Sequence, residues 1–258
     1  MQYDAIILAG GESSSELKKI APYDNEALII IGNYPMIYFV YNAVRQCPGI
    51  RKIVVSGPVD SLRNILPREE LLFFVPSGNN AVESLANAVE LLKKEATSEK
   101  ILIMPTDIPF ITREAIEDFI KHCEKSQSDF YYPLTSKETN EKAFPGVKRT
   151  YVRLKEGVFT GGNLFMVKTQ LIDTFLDLAL KLVIRRKNPL AIARLFGLGL
   201  VWKFITGTLS LLAAEKRFHQ VTGIKGKAII STYAQIGVDV DKPSDLDLAQ
   251  EYLGDIKF

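Results

Sequence analysis

The sequence contains few of the residues that build disulfide frameworks and zinc sites. Its 258 residues include two cysteines, two histidines and one tryptophan. Two cysteines, Cys47 and Cys123, cannot form a disulfide framework or a cysteine-rich zinc site. Two histidines are too few for most histidine-rich metal centres. These absences favour an intracellular protein without a structural zinc ion, and we expect a cytoplasmic location.

An excess of charge of one sign is also missing. Lysine and arginine number 32 and aspartate and glutamate 30, so the formal net charge is +2. A protein that binds nucleic acid mainly by electrostatics needs an excess of cations to displace counterions from the phosphate backbone. We therefore expect no nucleic-acid partner. An apolar content of 47% excludes intrinsic disorder for the chain as a whole.

The sequence lacks an uncharged apolar run long enough to cross a bilayer. The most apolar stretch is residues 188–214, where Arg194 and Lys203 leave uncharged runs over 195–202 and 204–214 only. Both runs are shorter than the roughly 18–20 residues that a spanning helix needs. At the N-terminus an apolar strand follows at once, without the basic segment and cleavage site of a signal peptide.

Continuously apolar segments alternate with amphipathic helices up to about residue 135. Strands are predicted at YDAIILA, KIVVSGP, LLFFVPSG and KILIMPTD, and helices at PMIYFVYNAV, AVESLANAVELLKK and TREAIEDFIKHCEK. Pro35 suits a first helical position and Thr112 an N-cap. Strands of this kind indicate a mostly parallel sheet covered on both faces. We predict a three-layer α/β/α, Rossmann-like fold in a single domain spanning residues 1–258.

The alternation weakens after residue 135. Strands are predicted around GGNLFMV and KAIISTY, a long helical region over residues 169–219, and a last helix from about Pro243. The apolar residues 188–214 within this region form, on our hypothesis, a lid over an acceptor site, or a patch for a membrane surface or a homodimer. The alternative is that these helices simply pack onto the sheet.

Three segments carry residues suited to phosphate and metal chemistry. The first, ILAGG, is a strand that ends in Gly10 and Gly11, and glycines let backbone N–H groups approach a phosphate closely. The alternative is a turn that needs a positive φ. The loop is neither a Walker loop nor a GxGxxG motif.

The other two segments supply carboxylates. Asp107 follows a strand in PTDIPFI, where it suits a divalent cation that bridges phosphate oxygens, or else caps a turn. In GVDVDKPSDL, Asp239 and Asp241 share one face of an extended segment, where a metal or Lys242 would relieve their repulsion. Alternatively, Asp241 caps the following helix.

In this order the three segments resemble the sugar-nucleotide type of nucleotidyltransferase, a superfamily that includes the molybdenum cofactor guanylyltransferase. EALIIIGNYPMI and PSGNNAVESLANAV are similar to further segments of that family. The resemblance implies transfer of a nucleoside monophosphate from an NTP, CTP or GTP among the possibilities, to a phosphorylated small-molecule acceptor, with release of pyrophosphate. It also implies Mg²⁺ as cofactor.

The resemblance assigns roles to individual residues. Catalytic roles fall on Asp107, Asp239, Lys18 and Lys19. Metal binding falls on Asp107, Asp239 and Asp241. Nucleotide binding falls on Leu8, Ala9, Gly10, Gly11, Gly78, Ser84 and Asp107, and acceptor binding on Gly161, Gly162 and Asn163, which could instead form a bulge.

The sequence departs from the family at two positions. Ser15 stands where the family has an arginine, and Glu26 where it has a lysine. At an effective dielectric constant of about 20, a carboxylate 4 Å from a phosphate charge costs on the order of 4 kcal/mol. Lys18 and Lys19 are the loop cations that could substitute. The alternative function is therefore a catalytically degenerate nucleotide-binding protein of the same fold.

Overall fold

A computed structural model describes residues 1–95, 97–185 and 197–258. In these residues nine strands form one sheet, in the order β5-β4-β1-β6-β10-β7-β9-β8, with β11 paired to β7. The other two strands form a small ribbon. The strands are β1 (Tyr3–Leu8), β2 (Ile30–Ile31), β3 (Tyr34–Pro35), β4 (Ile50–Gly57), β5 (Leu72–Pro76), β6 (Lys100–Pro105), β7 (Phe130–Ser136), β8 (Val152–Leu154), β9 (Gly157–Gly161), β10 (Phe165–Lys168) and β11 (Gly226–Ser231).

Strand direction agrees with the predicted, mostly parallel sheet. β5, β4, β1 and β6 lie side by side and parallel. β10 is inserted between β6 and β7 and is antiparallel to both. β11 is parallel to β7 along its length, whereas β9 is antiparallel to β7 and to β8. The crossovers between the parallel strands place helices on the sheet faces.

Ten α-helices surround the sheet in the described residues. They are α1 (Ser15–Ile20), α2 (Met36–Arg45), α3 (Val59–Ile65), α4 (Ala81–Lys94), α5 (Arg113–Glu124), α6 (Lys137–Ala143), α7 (Ile172–Arg185), α8 (Leu198–Ile205), α9 (Leu211–Thr222) and α10 (Pro243–Leu253). Short 3₁₀ turns cover Glu26–Leu28, Thr169–Leu171 and Ala234–Gly237.

Both faces of β1 are buried, which explains its apolar run from Ala5 to Leu8. Ala5 and Ile7 pack with α2 and α5 on one face. Ile6 packs with α4 and α7 on the other. Successive strand side chains point to opposite faces, so most side chains of a strand covered on both sides are buried and apolar. This confirms the three-layer α/β/α prediction.

The predicted helix starts are close to the observed ones. Thr112 is the N-cap of α5 and its side chain accepts a hydrogen bond from the N–H of Ala115. Pro243 is in the first turn of α10. Pro35 is one residue too early in our prediction, because it is the N-cap of α2 and the helix begins at Met36.

The helical region predicted over residues 169–219 is interrupted in the described residues. Helix α8 begins after Gly197 and ends before Gly207, and both glycines have a positive φ, +92° and +67°. These conformations break a helix, so the predicted helical region consists of separate helices. The part of the prediction over residues 186–196 lies outside the described residues. Within the described residues, no helix is long and apolar enough to cross a membrane.

Packing of α8 and α9 is divided between the sheet and solvent. The ring of Phe218 on α9 stacks on Phe130 of β7 at 5.9 Å, and Leu200 of α8 lines the same groove. Trp202 and Ile205 of α8 are 68% and 71% exposed. One side of this helical pair therefore packs onto the sheet, as the alternative predicts, while α8 leaves large apolar side chains in solvent.

Candidate functional site

The ends of β1 and β6 bring the first two predicted segments together. The strands are parallel neighbours, with Leu8 paired to Pro105. The backbone N–H of Thr106 donates to the carbonyl of Leu8 at 3.1 Å. The Gly10–Gly11 loop and Asp107 therefore leave the same edge of the sheet at the same level, where open α/β sheets bind ligands.

A hydrogen bond and an apolar cluster hold the third segment at this edge. The N–H of Val240 donates to the carbonyl of Asp107 at 2.8 Å. Val238 and Val240 are buried with Leu17 of α1 and Leu246 of α10. Because side chains alternate along an extended segment, burying these valines turns Asp239 and Asp241 to the opposite side, as the sequence predicts.

Three carboxylates meet at this point. One oxygen from each of Asp107, Asp239 and Asp241 lies within 4.8 Å of the others. The Oδ1 atom of Asp107 is buried and has no hydrogen-bond partner among the described residues. A buried carboxylate oxygen without a donor is costly unless a cation satisfies it, so these residues fit a divalent metal ion.

The capping alternative for Asp241 does not match the structure. The N-cap of α10 is Lys242, and no side chain caps it. Instead, Asp245 accepts a hydrogen bond from the backbone N–H of Asp241 at 3.2 Å. The exposed Asp241 side chain belongs to the carboxylate group rather than to the helix start.

Glu26 is a fourth carboxylate of the site, which our sequence analysis placed in the loop but not beside the aspartates. Its N–H donates to the carbonyl of Gly11 at 3.1 Å. Burial and the charge of Asp241 raise the pKa of Glu26 to about 7. Burial, Glu26 and Asp241 likewise raise the pKa of Asp107 to about 7. We call Glu26, Asp107, Asp239 and Asp241 the acidic cluster.

Arg149 is the cation that the structure brings to the acidic cluster, and sequence reasoning missed it. Its Nη1 donates to Oδ1 of Asp239, and the two side chains are 15% and 18% exposed. Its charge also lowers the pKa of Asp107, against the larger effects that raise it. Arg149 lies between α6 and β8, in a segment with no recognisable motif, so no local signal marks it.

The loop glycines are required by space rather than by backbone conformation. Gly10 and Gly11 are not among the glycines with a positive φ, so the alternative of a positive-φ turn is wrong. A Cβ atom at Gly10 would lie 2.5 Å from Cβ of Ser77, and one at Gly11 would lie 2.5 Å from Oε2 of Glu26. The loop backbone is therefore in close contact with its surroundings.

Several predicted nucleotide contacts have structural partners. The N–H of Ala9 donates to the carbonyl of Ser56 at 2.7 Å, so this N–H already has a partner, and a backbone contact of Ala9 with the nucleotide stays a prediction. The hydroxyl of Ser84, at the start of α4, accepts a hydrogen bond from the N–H of Gly78 at 3.0 Å. This bond folds the Gly78 loop beside Gly10, so Ser84 shapes that loop, and its contact with a base stays a prediction.

Of the two predicted loop cations, Lys18 has its ion-pair partner outside the acidic cluster. Lys18 pairs with Asp24 at 2.9 Å, in an exposed ion pair. Lys19 is exposed on the last turn of α1. The cation beside the carboxylates is Arg149 instead, and the catalytic roles of the two lysines stay predictions.

The predicted acceptor segment lies at the junction of β9 and β10. The N–H of Gly162 donates to the carbonyl of Pro133, and that of Asn163 to the carbonyl of Ile236. A Cβ atom at Gly161 would collide with the hydroxyl of Tyr132, and one at Gly162 would lie 2.5 Å from Ile236. Close packing thus explains both glycines. Nδ2 of Asn163 is buried without a partner in the described residues, and acceptor binding stays a prediction.

Residues 5–194 match the sequence profile of the MobA-like NTP transferase domain. The chain belongs to this family. It is 27% identical over 124 residues to 2-C-methyl-D-erythritol 4-phosphate cytidylyltransferase of Clostridium perfringens, covering 46% of this chain and 52% of the relative. It is 29% identical over 115 residues to a probable molybdenum cofactor guanylyltransferase of Trichormus variabilis, covering 45% and 50%.

A solved structure extends the likeness to almost the whole chain. A hypothetical transferase from Thermus thermophilus shares 33% identity and a TM-score of 0.83, covering 95% of this chain and 100% of that one. The chain spans only about half the length of the two enzymes named above. Membership in the NTP transferase family therefore agrees with the observed fold, while substrates are matters for proposal.

Proposed function

We propose that this protein is a Mg²⁺-dependent nucleotidyltransferase that transfers the nucleoside monophosphate of CTP or GTP to a phosphorylated small-molecule acceptor. An acceptor oxygen forms a bond to the α-phosphorus, and the bond from that phosphorus to the oxygen bridging to the β-phosphate breaks. Pyrophosphate leaves with the electron pair of the broken bond. Catalysis of this kind depends on positioning and charge stabilisation more than on covalent chemistry.

The observation that carries the proposal is the meeting of Asp107, Asp239 and Asp241 beside the Gly10–Gly11 loop. The buried Oδ1 of Asp107, which has no hydrogen-bond partner within the described residues, suits a cation, and nucleoside triphosphates are bound as magnesium complexes. Asp107 and Asp239 would hold a Mg²⁺ ion, which would supply positive charge to the phosphate oxygens. The N–H groups of Gly10 and Gly11 would bind phosphate oxygens directly.

The names of two relatives support the proposed nucleotide bases and the proposed phosphorylated acceptor. Those named above are a cytidylyltransferase and a probable guanylyltransferase, and the first acts on an acceptor named as a 4-phosphate. We therefore propose CTP and GTP as the first nucleotides to test. The buried amide of Asn163 would serve as a donor to the acceptor, because its Nδ2 has no partner within the described residues.

A second candidate function is nucleotide binding without turnover. The carboxylate of Glu26 lies against Gly11, where it repels phosphate instead of attracting it. The two candidates differ in one measurable respect, since both bind nucleotide but only the enzyme consumes it.

Pyrophosphate release tests the proposal. Each NTP is incubated with Mg²⁺ and a panel of sugar, polyol and cofactor-precursor phosphates, while nucleotide binding is measured separately by calorimetry. We expect release with CTP or GTP and at least one acceptor, and its loss in Asp107→Asn but not in Asp60→Asn, an exposed carboxylate on α3. Binding without release under every condition would favour the second candidate, and no binding would overturn both.

A further inference from the structure

The C-terminal half of helix α8 places large apolar side chains in solvent. Residues 202–206 are all exposed, and they include Trp202, Phe204 and Ile205, which we call the α8 patch. Leu212, in the first turn of the next helix, α9, is exposed as well. Soluble monomers seldom expose several large apolar side chains together, and such a patch usually marks a contact with another protein or with a membrane.

Hydrogen bonds and packing fix the position of the α8 patch. The carbonyl of Lys203 accepts hydrogen bonds from the N–H groups of Thr208 and Leu209, at 2.9 and 3.0 Å. Leu209 is buried, and Leu200 lines the groove between α8 and the sheet. The inner side of α8 is therefore anchored, while its outer side faces solvent.

Three exposed cations accompany the α8 patch. Lys203 lies within the helix turn that carries it. Arg153 passes the end of α8, since a Cβ atom at Gly207 would lie 2.7 Å from Cδ of this arginine. Lys216 follows Leu212 by four residues, so these two side chains share one face of α9. Apolar and cationic side chains are thus mixed on one part of the surface.

These three cations have no carboxylate partner in the part of the chain that the structure describes. The carboxylate of Glu215 on α9 instead accepts hydrogen bonds from Lys227 and from the N–H of Ala228. Residues 181–196 contain no aspartate or glutamate, so they offer no carboxylate either. The positive charge beside the α8 patch is therefore available to an anionic partner.

This charge distinguishes two possible occupants of the patch. A second copy of the chain, related by a twofold axis, would bring the same cations against one another, because such an interface pairs identical surfaces. A bilayer that contains anionic lipids would attract the cations and accept the apolar side chains. Tryptophan and lysine both suit this boundary, since each combines an apolar body with a polar end.

We propose that the α8 patch binds the surface of an anionic membrane. Trp202 and Ile205 enter the outer part of the lipid layer, and Lys203 and Lys216 contact the anionic headgroups. Helix α8 has eight residues, too few to cross a bilayer, so it lies at the surface. None of these residues belongs to the acidic cluster, so the inference does not depend on the proposed function.

Co-sedimentation of the full chain with vesicles, without nucleotide, tests the inference. Vesicles of equal parts phosphatidylglycerol and phosphatidylcholine are compared with vesicles of phosphatidylcholine alone. We expect binding to the anionic vesicles only, and weaker binding as salt screens the charges. Lys203→Gln and Lys216→Gln should each weaken binding about fivefold. Lys121→Gln, an exposed lysine on α5, is the matched control and should leave binding unchanged.

The apolar side chains give a second readout. Trp202→Ala and Ile205→Ala should each weaken vesicle binding by about tenfold, because each removes apolar area that the lipid would cover. Leu71→Ala, an exposed leucine before β5, is the control and should have no effect. Thermal unfolding verifies that each variant is folded, as expected for changes at exposed positions.

Failure to bind anionic vesicles, or binding that none of the four patch variants weakens, would overturn the inference. Sedimentation equilibrium without lipid tests the other occupant. We expect no self-association that depends on Trp202 or Ile205, and a dimer that both alanine variants abolish would overturn the inference in favour of a second copy. Failure of the enzyme proposal is distinguishable, because it would appear as absent pyrophosphate release while vesicle binding is unchanged.

Discussion

The guanidinium of Arg149 donates to the carboxylate of Asp239, across a separation of 90 residues in the chain. This pair occupies one of the two carboxylates that we assign to the metal. Removal of the guanidinium leaves a mostly buried carboxylate among three others, so the metal-free protein loses stability. For Arg149→Ala we expect a loss of about 1–3 kcal/mol without metal, the range for stranding a buried polar or charged partner.

The same variant should bind Mn²⁺ more tightly than the wild type, because no guanidinium competes for Asp239. Calorimetric titration and thermal unfolding with and without Mn²⁺ measure both effects. Arg68→Ala, an exposed arginine between α3 and β5, is the control and should change neither. A stability loss that is equal with and without metal, together with weaker Mn²⁺ binding, would contradict a competition between Arg149 and the ion.

Gly10 and Gly199 form a matched pair for the space requirement of the loop. A Cβ atom at Gly10 would lie 2.5 Å from Cβ of Ser77, whereas one at Gly199 meets nothing within 4 Å. We expect Gly10→Ala to cost about 1–3 kcal/mol, because a crowded site must shift. It should also weaken nucleotide binding. Gly199→Ala should be neutral or stabilise helix α8 by up to about 1 kcal/mol.

Denaturant unfolding and nucleotide titration of the two variants measure these effects. Equal stability changes at both positions would show that the close contact of the loop with Ser77 relaxes without cost.

Much of the fold and the core of the site could be predicted because they depend on local pattern and strand direction. Continuously apolar strands indicate a parallel sheet, and parallel strands end at the same edge, which is enough to bring Asp107 to the Gly10 loop. The alternation of valine with aspartate fixes the side on which Asp239 and Asp241 lie.

The remainder depends on contacts between distant segments, which local pattern does not encode. Strand β10 is inserted between β6 and β7. Its apolar segment FMV would look the same in any position of the sheet, so the sequence does not predict this strand order. Arg149 reaches Asp239 only through the path of the chain between α6 and β8. Glu26 and Lys18 both belong to the segment between β1 and β2, yet Asp241 raises the pKa of Glu26 while Lys18 pairs with Asp24.

The raised pKa values of Asp107 and Glu26 predict how the stability of the metal-free protein depends on pH. Both are raised to about 7, above the ordinary values of 3.8 and 4.5. Between about pH 4 and pH 7 the folded state therefore binds more protons than the unfolded state. Stability from this source is complete at the acid end of that window and is lost as the pH rises through 7.

Thermal unfolding in the presence of a chelator, from pH 5 to pH 8, measures this dependence. We expect the midpoint to fall toward pH 8 in the wild type and to depend less on pH in Asp107→Asn and Glu26→Gln. Excess Mg²⁺ should remove or reverse the trend, since a bound cation favours the ionised carboxylates. A metal-free midpoint that rises steadily from pH 5 to pH 8 would contradict the prediction.

Trp202 is the only tryptophan of the chain, and it reports directly on the exposed side of α8. It is 68% exposed, and Leu212 at the start of α9 is 73% exposed. We expect the dilute protein to show the long-wavelength fluorescence of a hydrated indole, readily quenched by acrylamide. Short-wavelength, poorly quenched emission in the dilute protein would contradict the exposed position.

The same fluorescence tests association through this side of α8. A blue shift at higher protein concentration would indicate a homodimer. A blue shift with anionic vesicles, together with co-sedimentation, would indicate a membrane contact. Trp202→Ala should abolish the signal and weaken whichever association causes the shift, because burying an indole contributes a large apolar area.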